Sequence, residues 1–398
     1  MLSVSDLEVS GKRVLLRLDL NVPMRGEEVT DDTRIRAVVP TVNALCAAGA
    51  RVILLSHFGR PKGQRVADMS LAPIAGPLAA RLGRDVVFVS ECVGEMALEM
   101  ANALDNGEVA LMENLRFHPG EEANEAAFAG QLAALGDCYV NDAFSVCHRA
   151  HASTDRLPRL LPAAAGLALT AELKALEDAL GNPARPAAAL VGGAKISTKL
   201  AVLGNILGKV DALIIGGGMA NTFLFARGVE VGKSLCERDM ADMARDIMAR
   251  ADAAGCTIVL PEDVVLAREF REGAPTRVGA VGDVGADEMI LDIGPKATEA
   301  LIGRFRNLKT LLWNGPLGAF ETAPFDVATV AAARAAAALT KAGGLLSVAG
   351  GGDTVAALAL AGVVGDFSHV STAGGAFLEW LEGRELPGIA ALNAASGA

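Results

Sequence analysis

The chain has 398 residues, 52% hydrophobic, 4% aromatic and 21% charged, which excludes a disordered polymer and suits two or three domains with real cores. A formal charge of −11 argues against nonspecific binding to nucleic acid or to an anionic membrane. No apolar run reaches the ~18–20 residues of a membrane span, and Asp6 and Glu8 stand where a signal peptide would be basic and then apolar, so the expected location is the cytoplasm.

Taken in chain order, short apolar runs occur at Val14–Leu18, Val52–Leu55, Val86–Val89, Val109–Met112 and Cys138–Val140. Helical patterns lie between and after them at Arg36–Ala47, Leu71–Leu82 and Glu122–Leu135. Apolar runs without alternation suit strands covered on both faces, which means a parallel α/β sheet. An amphipathic stretch, Thr170–Leu180, follows, with Thr170 placed to cap it and Gly181-Asn182-Pro183 as its stop. A second series then begins, with strands predicted at Ala187–Val191, Ala212–Ile215, Thr257–Leu260, Thr310–Trp313 and Leu345–Val348. Its helices are predicted at Ser197–Leu207, Asp239–Ala254 and Phe325–Thr340. The fold class is therefore α/β: two doubly wound, Rossmann-like parallel-sheet domains joined by one helix, with a hinge-bending cleft.

Ligands of open α/β sheets bind beyond the carboxyl ends of the strands. In the first half those ends carry Asp19, Asn21, His57, Phe58, Gly59, Arg60 and Arg116, with Arg34, Arg149 and His151 nearby. Several arginines at strand ends of an acidic protein point to a small anionic ligand. In the second half the ends are glycine-rich: Gly192-Gly193-Ala194-Lys195, Gly216-Gly217-Gly218, Asn314-Gly315-Pro316, Gly350-Gly351-Gly352-Asp353-Thr354 and Ser371-Thr372-Ala373-Gly374-Gly375. Glycine at a strand-to-helix turn lets backbone N–H groups approach a phosphate. Lys195 and Lys199, four apart, are expected on one helix face, and Asp353 is placed to meet a Mg²⁺ held on nucleotide phosphates. A nucleotide site is the reading these features favour.

Competing motifs fail. GVEVGKS at 228–234 has three residues between its glycines where a P-loop needs four, and no GxGxxG follows a predicted strand. Six cysteines show no CxxC, as expected of isolated thiols in a reducing compartment, and His148 and His151 lack the glutamate of a metalloprotease motif. Cys147, beside His148 and Arg149, is a candidate low-pKa thiol, though an inert buried one is the plainer expectation.

The segments RLDLNVP (17–23), SHFGRP (56–61), ENLRFH (113–118), NDAF (141–144) and HRAHAS (148–153) resemble the substrate-side signatures of the phosphoglycerate kinase family. GGAK (192–195), GGGMA (216–220), DIGP (292–295), WNGP (313–316) and GGGDT (350–354) resemble its nucleotide-side signatures, in the family's order over essentially the whole chain. The resemblance implies transfer of the acyl phosphate of 1,3-bisphosphoglycerate to Mg-ADP, giving 3-phosphoglycerate and ATP, after domain closure. By matching position, it implies that Asp19, Asn21, Arg34, His57, Phe58, Gly59, Arg60, Arg116 and Arg149 bind the phosphoglycerate. Lys199, Gly217, Gly218, Asn314, Glu321, Gly351, Gly352, Asp353 and Thr354 match nucleotide positions, with Asp353 the metal-linked carboxylate. Arg34, Lys195, Gly374 and Gly375 match groups around the phosphoryl in flight.

The implied organisation is a phosphoglycerate-binding domain at 1–169, a joining helix at 170–182, a nucleotide-binding domain at 183–371, and a segment at 372–398 that returns to the first domain. A monomer with Mg²⁺ as its cofactor and no nucleic-acid or membrane partner is expected. The chain departs from the family pattern at Ala373, where a glycine is usual, at Glu262 beside the expected adenine pocket, and at Ser145-Val146-Cys147. If position 373 needs φ > 0, its methyl would cost on the order of 1 kcal/mol. A two-domain anion-binding protein without catalysis is the alternative from another class. A nicotinamide dehydrogenase would need a dinucleotide fingerprint that is absent.

Overall fold

A computed structural model describes residues 1–395 and divides the chain into two compact units. One comprises Met1–Leu173 with the described residues from Glu385 onward, the other Lys174–Arg384. The helix Pro387–Ala395 belongs to the first unit, where the backbone N–H of Gly388 donates to the Cys147 carbonyl (2.9 Å). The segment 372–384, grouped with it on the sequence, belongs instead to the second unit, where the Asn205 amide donates to the Leu381 carbonyl (2.9 Å).

The first unit holds β1 (Arg13–Arg17), a small hairpin of β2 (Met24–Arg25) and β3 (Glu28–Val29), β4 (Arg51–Leu55), β5 (Val87–Val89), β6 (Val109–Met112), β7 (Cys138–Asn141) and β8 (Ala163–Ala165). Six of these form one parallel sheet in the order β5-β6-β4-β1-β7-β8. Its central strands are buried along almost their whole length, with Leu15, Leu16, Ile53, Leu54, Leu111 and Val140 fully enclosed. Burial on both faces explains why they read as unbroken apolar runs.

The second unit repeats the plan with β9 (Ala187–Gly192), β10 (Ala212–Gly216), β11 (Thr257–Val259), β15 (Thr310–Asn314), β16 (Leu346–Gly350) and β17 (His369–Ser371), ordered β11-β10-β9-β15-β16-β17 and all parallel. Between them the chain builds a three-stranded antiparallel sheet from β12 (Asp263–Ala267), β13 (Thr276–Ala280) and β14 (Met289–Ile293). Trp313 is fully buried, its indole N–H donating to the Gly315 carbonyl at 2.7 Å.

Several expectations are corrected. The helix read at Glu122–Leu135 is two short helices, Pro119–Glu122 and Ala126–Ala133, broken at Asn124 with φ +52°. The joining helix begins earlier, at Leu167, runs to Leu176 and continues as a wide turn to Gly181. Thr170 therefore sits inside it, its hydroxyl donating to the Gly166 carbonyl (2.8 Å) instead of capping. Lys195 and Lys199 do not share a helix face. Lys195 is extended, a 3₁₀ turn spans Ile196–Thr198, and Lys199 precedes the helix Leu200–Ile206. No helix of the described residues is long and apolar enough to cross a membrane.

Candidate active site

In the first unit, β1, β4, β6 and β7 run parallel, so the loops that follow them share one sheet edge. Asp19, just past β1, accepts from the Arg34 guanidinium (2.9 and 3.0 Å), the Asn21 N–H (3.1 Å) and the Ser145 hydroxyl. Arg34 also donates to the Asn21 carbonyl at 2.9 Å. The Asn21 side-chain oxygen accepts from the Gly59 N–H (2.9 Å), which links the loop after β1 to that after β4. Asn114 links β4 to β6, accepting from the Phe58 and Arg116 N–H groups (3.1 and 3.0 Å) and donating to the Phe58 carbonyl (2.7 Å). The Arg116 guanidinium then donates to the Gly59 carbonyl at 2.8 Å. Five of the predicted substrate residues, Asn21, Arg34, Phe58, Gly59 and Arg116, are thus cross-linked, with Asp19 as their anionic anchor.

Arg116 is only 3% exposed; burial and then neighbouring Arg17 push its pKa down to about 10, which leaves it cationic at neutral pH. Burial, then Arg17, Arg116, Arg34 and His151, hold His57 well below the usual imidazole range, so the ring is neutral. Its Nδ1 faces the Arg17 guanidinium at 3.2 Å. A guanidinium can only donate, so Nδ1 accepts and the proton sits on Nε2. Burial, then Arg116, Arg17 and Arg149, push His151 down to about 3, so it too is neutral. Arg149 is half-buried after the 3₁₀ turn Phe144–Val146, and Arg60 is exposed. Cys147 contradicts the low-pKa idea: its fully buried thiol is pushed up to about 12 because desolvation outweighs the nearby cation.

In the second unit a cavity of about 580 Å³ lies at the corresponding sheet edge. Gly217, Gly218, Glu321 and Asp353, four of the residues expected at the nucleotide, stand on its wall with Gly193 and Ala194. Lys195, Lys199, Asn314, Gly351, Gly352, Thr354, Gly374 and Gly375 are outside that lining, at the strand ends around it. Lys199 donates to the Asn314 side-chain oxygen (2.5 Å), and the Asn314 amide donates to the Gly350 carbonyl (2.7 Å). Burial lowers the Lys199 pKa, an effect opposed by Asp353 and Glu382. The Thr354 hydroxyl accepts the Gly315 N–H (2.7 Å), so it ties β15 to β16. Gly351 has φ +99°, and a Cβ there would stand 2.6 Å from the Asn314 amide nitrogen. Helices start at Gly217, Gly352 and Gly374, directly after β10, β16 and β17. Their positive ends face the same edge, although in the first of them the Gly217 and Met219 N–H groups are already spent on the Leu317 and Gly193 carbonyls (2.8 and 3.1 Å).

Two departures resolve simply. Ala373 has φ −95°, an ordinary conformation for an L-residue, so its methyl is unstrained. Glu262 is exposed and lies outside the cavity wall; it lines a separate small space with Lys296 and Arg304.

The sequence reading missed the apolar wall. Phe270, Met289, Ile290 and Leu291 come from the antiparallel sheet and its loop, and Leu235 from the segment before the helix Ala241–Ala253. The sequence offered no signal for it: Phe270 shows itself only in the structure, as a large aromatic left 58% exposed. Asp292, on the same wall, accepts the Ile293 and Ala328 N–H groups (2.9 and 3.0 Å), and burial pushes it up to about 7.

A family model described as phosphoglycerate kinase matches residues 4–384. A phosphoglycerate kinase of Rhizorhabdus wittichii and one of Zymomonas mobilis are each 63% identical over 387 residues, covering 97% of this chain and 98% of theirs. Among solved structures, a phosphoglycerate kinase from Coxiella burnetii is 42% identical with a TM-score of 0.92, covering 99% of both chains. One from Pyrococcus horikoshii is 29% identical with a TM-score of 0.82 over the full length of both.

Proposed function

The chain belongs to the phosphoglycerate kinase family, enzymes that transfer a phosphoryl group between a carboxyl group and a nucleotide, and on that premise we propose how its residues divide the work. In the first unit, Asp19, Asn21, Arg34, His57, Phe58, Gly59, Arg60, Arg116 and Arg149 bind the phosphoglycerate. The observation that carries this is the cross-linked loop edge, where Arg34 and Arg116 are held by fixed backbone and carboxylate partners. Pre-positioned guanidinium groups recognise phosphate and carboxylate without reorganisation. Neutral His57, with its proton on Nε2, offers one more donor.

In the second unit the cavity takes the nucleotide, its base against the apolar wall and Gly217-Gly218, its phosphates toward Lys199, Asn314 and the turn Gly351–Thr354, with Glu321 on the wall beside it. Asp353 fits a hard cation: it is an exposed carboxylate in the first turn of the helix Gly352–Ala361, on the cavity wall. An ion held by one carboxylate takes its other ligands from phosphate and water. When bound with the nucleotide, Mg²⁺ neutralises charge on the phosphate oxygens.

The chemistry asks for little else. The acyl-phosphate bond breaks to release a carboxylate, a good leaving group, so no strong base is needed. Catalysis reduces to positioning and to stabilising charge on the transferring group's oxygens. Arg34, Lys195 and the N–H groups at Gly374 and Gly375 are the donors we assign to that task. We further propose a cytoplasmic monomer acting on small molecules, with no nucleic-acid or membrane partner, a reading that the net charge of −11 supports against polyanions and anionic membranes.

A coupled assay tests the reading, with 3-phosphoglycerate and Mg-ATP as substrates and an NADH-linked dehydrogenase consuming the bisphosphoglycerate. Turnover abolished by EDTA and lowered at least ~10²-fold by Lys195→Ala is expected. Turnover indifferent to both would overturn the assigned roles.

A further inference from the structure

Arg17 lies within β1 and is completely enclosed. Its direct partners are all neutral: the Ser153 hydroxyl (Nε to Oγ, 2.9 Å), the Leu18 carbonyl and His57 Nδ1 (3.2 Å). A buried guanidinium without a counter-charge is costly, so an anion should stand close by. That anion is Glu121, which has no exposed surface at all. Ser153 donates to it twice, from its hydroxyl (2.6 Å) and its backbone N–H (2.9 Å). Burial raises the Glu121 pKa, and Arg17, the two Ser153 donors and Arg116 act against that rise; each carboxylate oxygen accepts one Ser153 donor, the arrangement that suits the ionised group. The Ser153 hydroxyl is thus a one-atom bridge: it accepts from Arg17 and donates to Glu121. The same carboxylate stands 3.9 Å from His151 Nδ1.

We propose that Glu121, acting through Ser153 and Arg17, is a positioning residue that fixes the orientation and Nε2–H tautomer of His57. Glu121 anchors the arginine, the arginine's donor occupies Nδ1, and the ring is left with its single proton on the far nitrogen. Without the anion, Arg17 loses its electrostatic reason to stay under the ring, and His57 is free to rotate or to populate the other tautomer. Nothing in the phosphoglycerate motifs pointed to Glu121, which lies in a short helix, Pro119–Glu122, whose other carboxylate, Glu122, stands 3.5 Å from the Arg116 guanidinium.

The inference rests on the assignment of the phosphoglycerate site to this edge, and the test separates the two. Nitrogen-15 NMR of the ligand-free enzyme at pH 7.5 reads the His57 tautomer without any substrate. The Nε2–H form is expected in the wild type. Glu121→Gln and Ser153→Ala should each bring in Nδ1–H or averaged signals, and raise the KM for 3-phosphoglycerate ~10-fold with the KM for Mg-ATP unchanged. A wild-type ring carrying its proton on Nδ1 overturns the proposal, as do unchanged ring signals in the folded variants. If Glu121→Gln fails to fold, Ser153→Ala, which removes only the bridge, decides it. Altered ring signals with an unchanged KM would uphold the positioning and count against His57 as a substrate ligand.

Discussion

At the edge of the first sheet the groups assigned to the ligand are side chains held by fixed carboxylate, backbone and side-chain partners, whereas at the edge of the second they are mostly backbone. Arg34, Arg116 and His57 are each fixed by a named partner, and beneath them Arg17, Ser153 and Glu121 form a fully buried polar layer. The second edge replaces that layer with glycines packed against carbonyls: a Cβ at Gly192 would fall 1.9 Å from the Pro316 oxygen, and one at Gly217 would fall 2.7 Å from the Gly193 oxygen. On the proposed assignment both edges face anions, but they use different donors. A small, highly charged acid offers little apolar surface, so specificity must come from charged donors of fixed geometry. A nucleotide brings a flat base and a run of phosphates, which suit an apolar wall and helix N-termini.

The largest expected effect comes from removing a transition-state cation. Arg34→Ala should lower turnover ~10²–10³-fold while leaving the fold intact, the scale of one lost charge-stabilising donor; coupled kinetics with a circular dichroism control would show it. Next is a backbone lesion confined to the second edge. Gly351→Ala forces a methyl into a left-handed turn against the Asn314 amide, a strain of about 1–3 kcal/mol. Calorimetry should find Mg-ADP binding at least ~10-fold weaker, with 3-phosphoglycerate unaffected; equal losses for both ligands would erase the distinction between the edges.

The two units should also differ in how they respond to pH. His57 and His151 have depressed pKa values. The unfolded chain therefore binds protons there that the folded one does not, and the stability they contribute, present above about pH 6.5, is lost as pH falls. Asp292 runs the other way. Its pKa is raised to about 7 from an ordinary 3.8, so its contribution is present at low pH and lost as pH rises through 7. Both tryptophans, Trp313 and Trp380, lie in the second unit, so indole fluorescence reports its unfolding. Relative to Asp292→Asn, the wild type should lose on the order of a few kcal/mol between pH 4 and pH 8. A difference that does not change with pH would refute this. The smallest effect is at Cys147: thiol-directed reagents should modify half-exposed Cys236 first and reach buried Cys147 only on unfolding.

The parallel sheets were legible because burial on both faces leaves an unmistakable apolar run, as at Val109–Met112, where predicted and observed strands coincide. The strand-end residues followed from topology. β8 was missed because three alanines, Ala163–Ala165, carry no strand signal of their own. β13 was missed because it is mostly exposed. With it went the antiparallel sheet and the apolar wall of the cavity. The buried layer under His57 was out of reach for a different reason: Arg17 and Ser153 lie 136 residues apart, and Ser153 and Glu121 lie 32 apart. Only a charged residue inside the apolar run RVLLRLDL hinted at it. The spacing of Lys195 and Lys199 misled, since four residues mark one face only within a continuous helix.

The claim that the acid and the nucleotide are held by separate edges is tested most directly by titrating each ligand, by calorimetry, into wild-type enzyme, Arg116→Ala and Lys199→Ala. The account predicts that Arg116→Ala loses 3-phosphoglycerate and keeps Mg-ADP, and that Lys199→Ala does the reverse. Variants that weaken both ligands alike, or exchange the two losses, would contradict it.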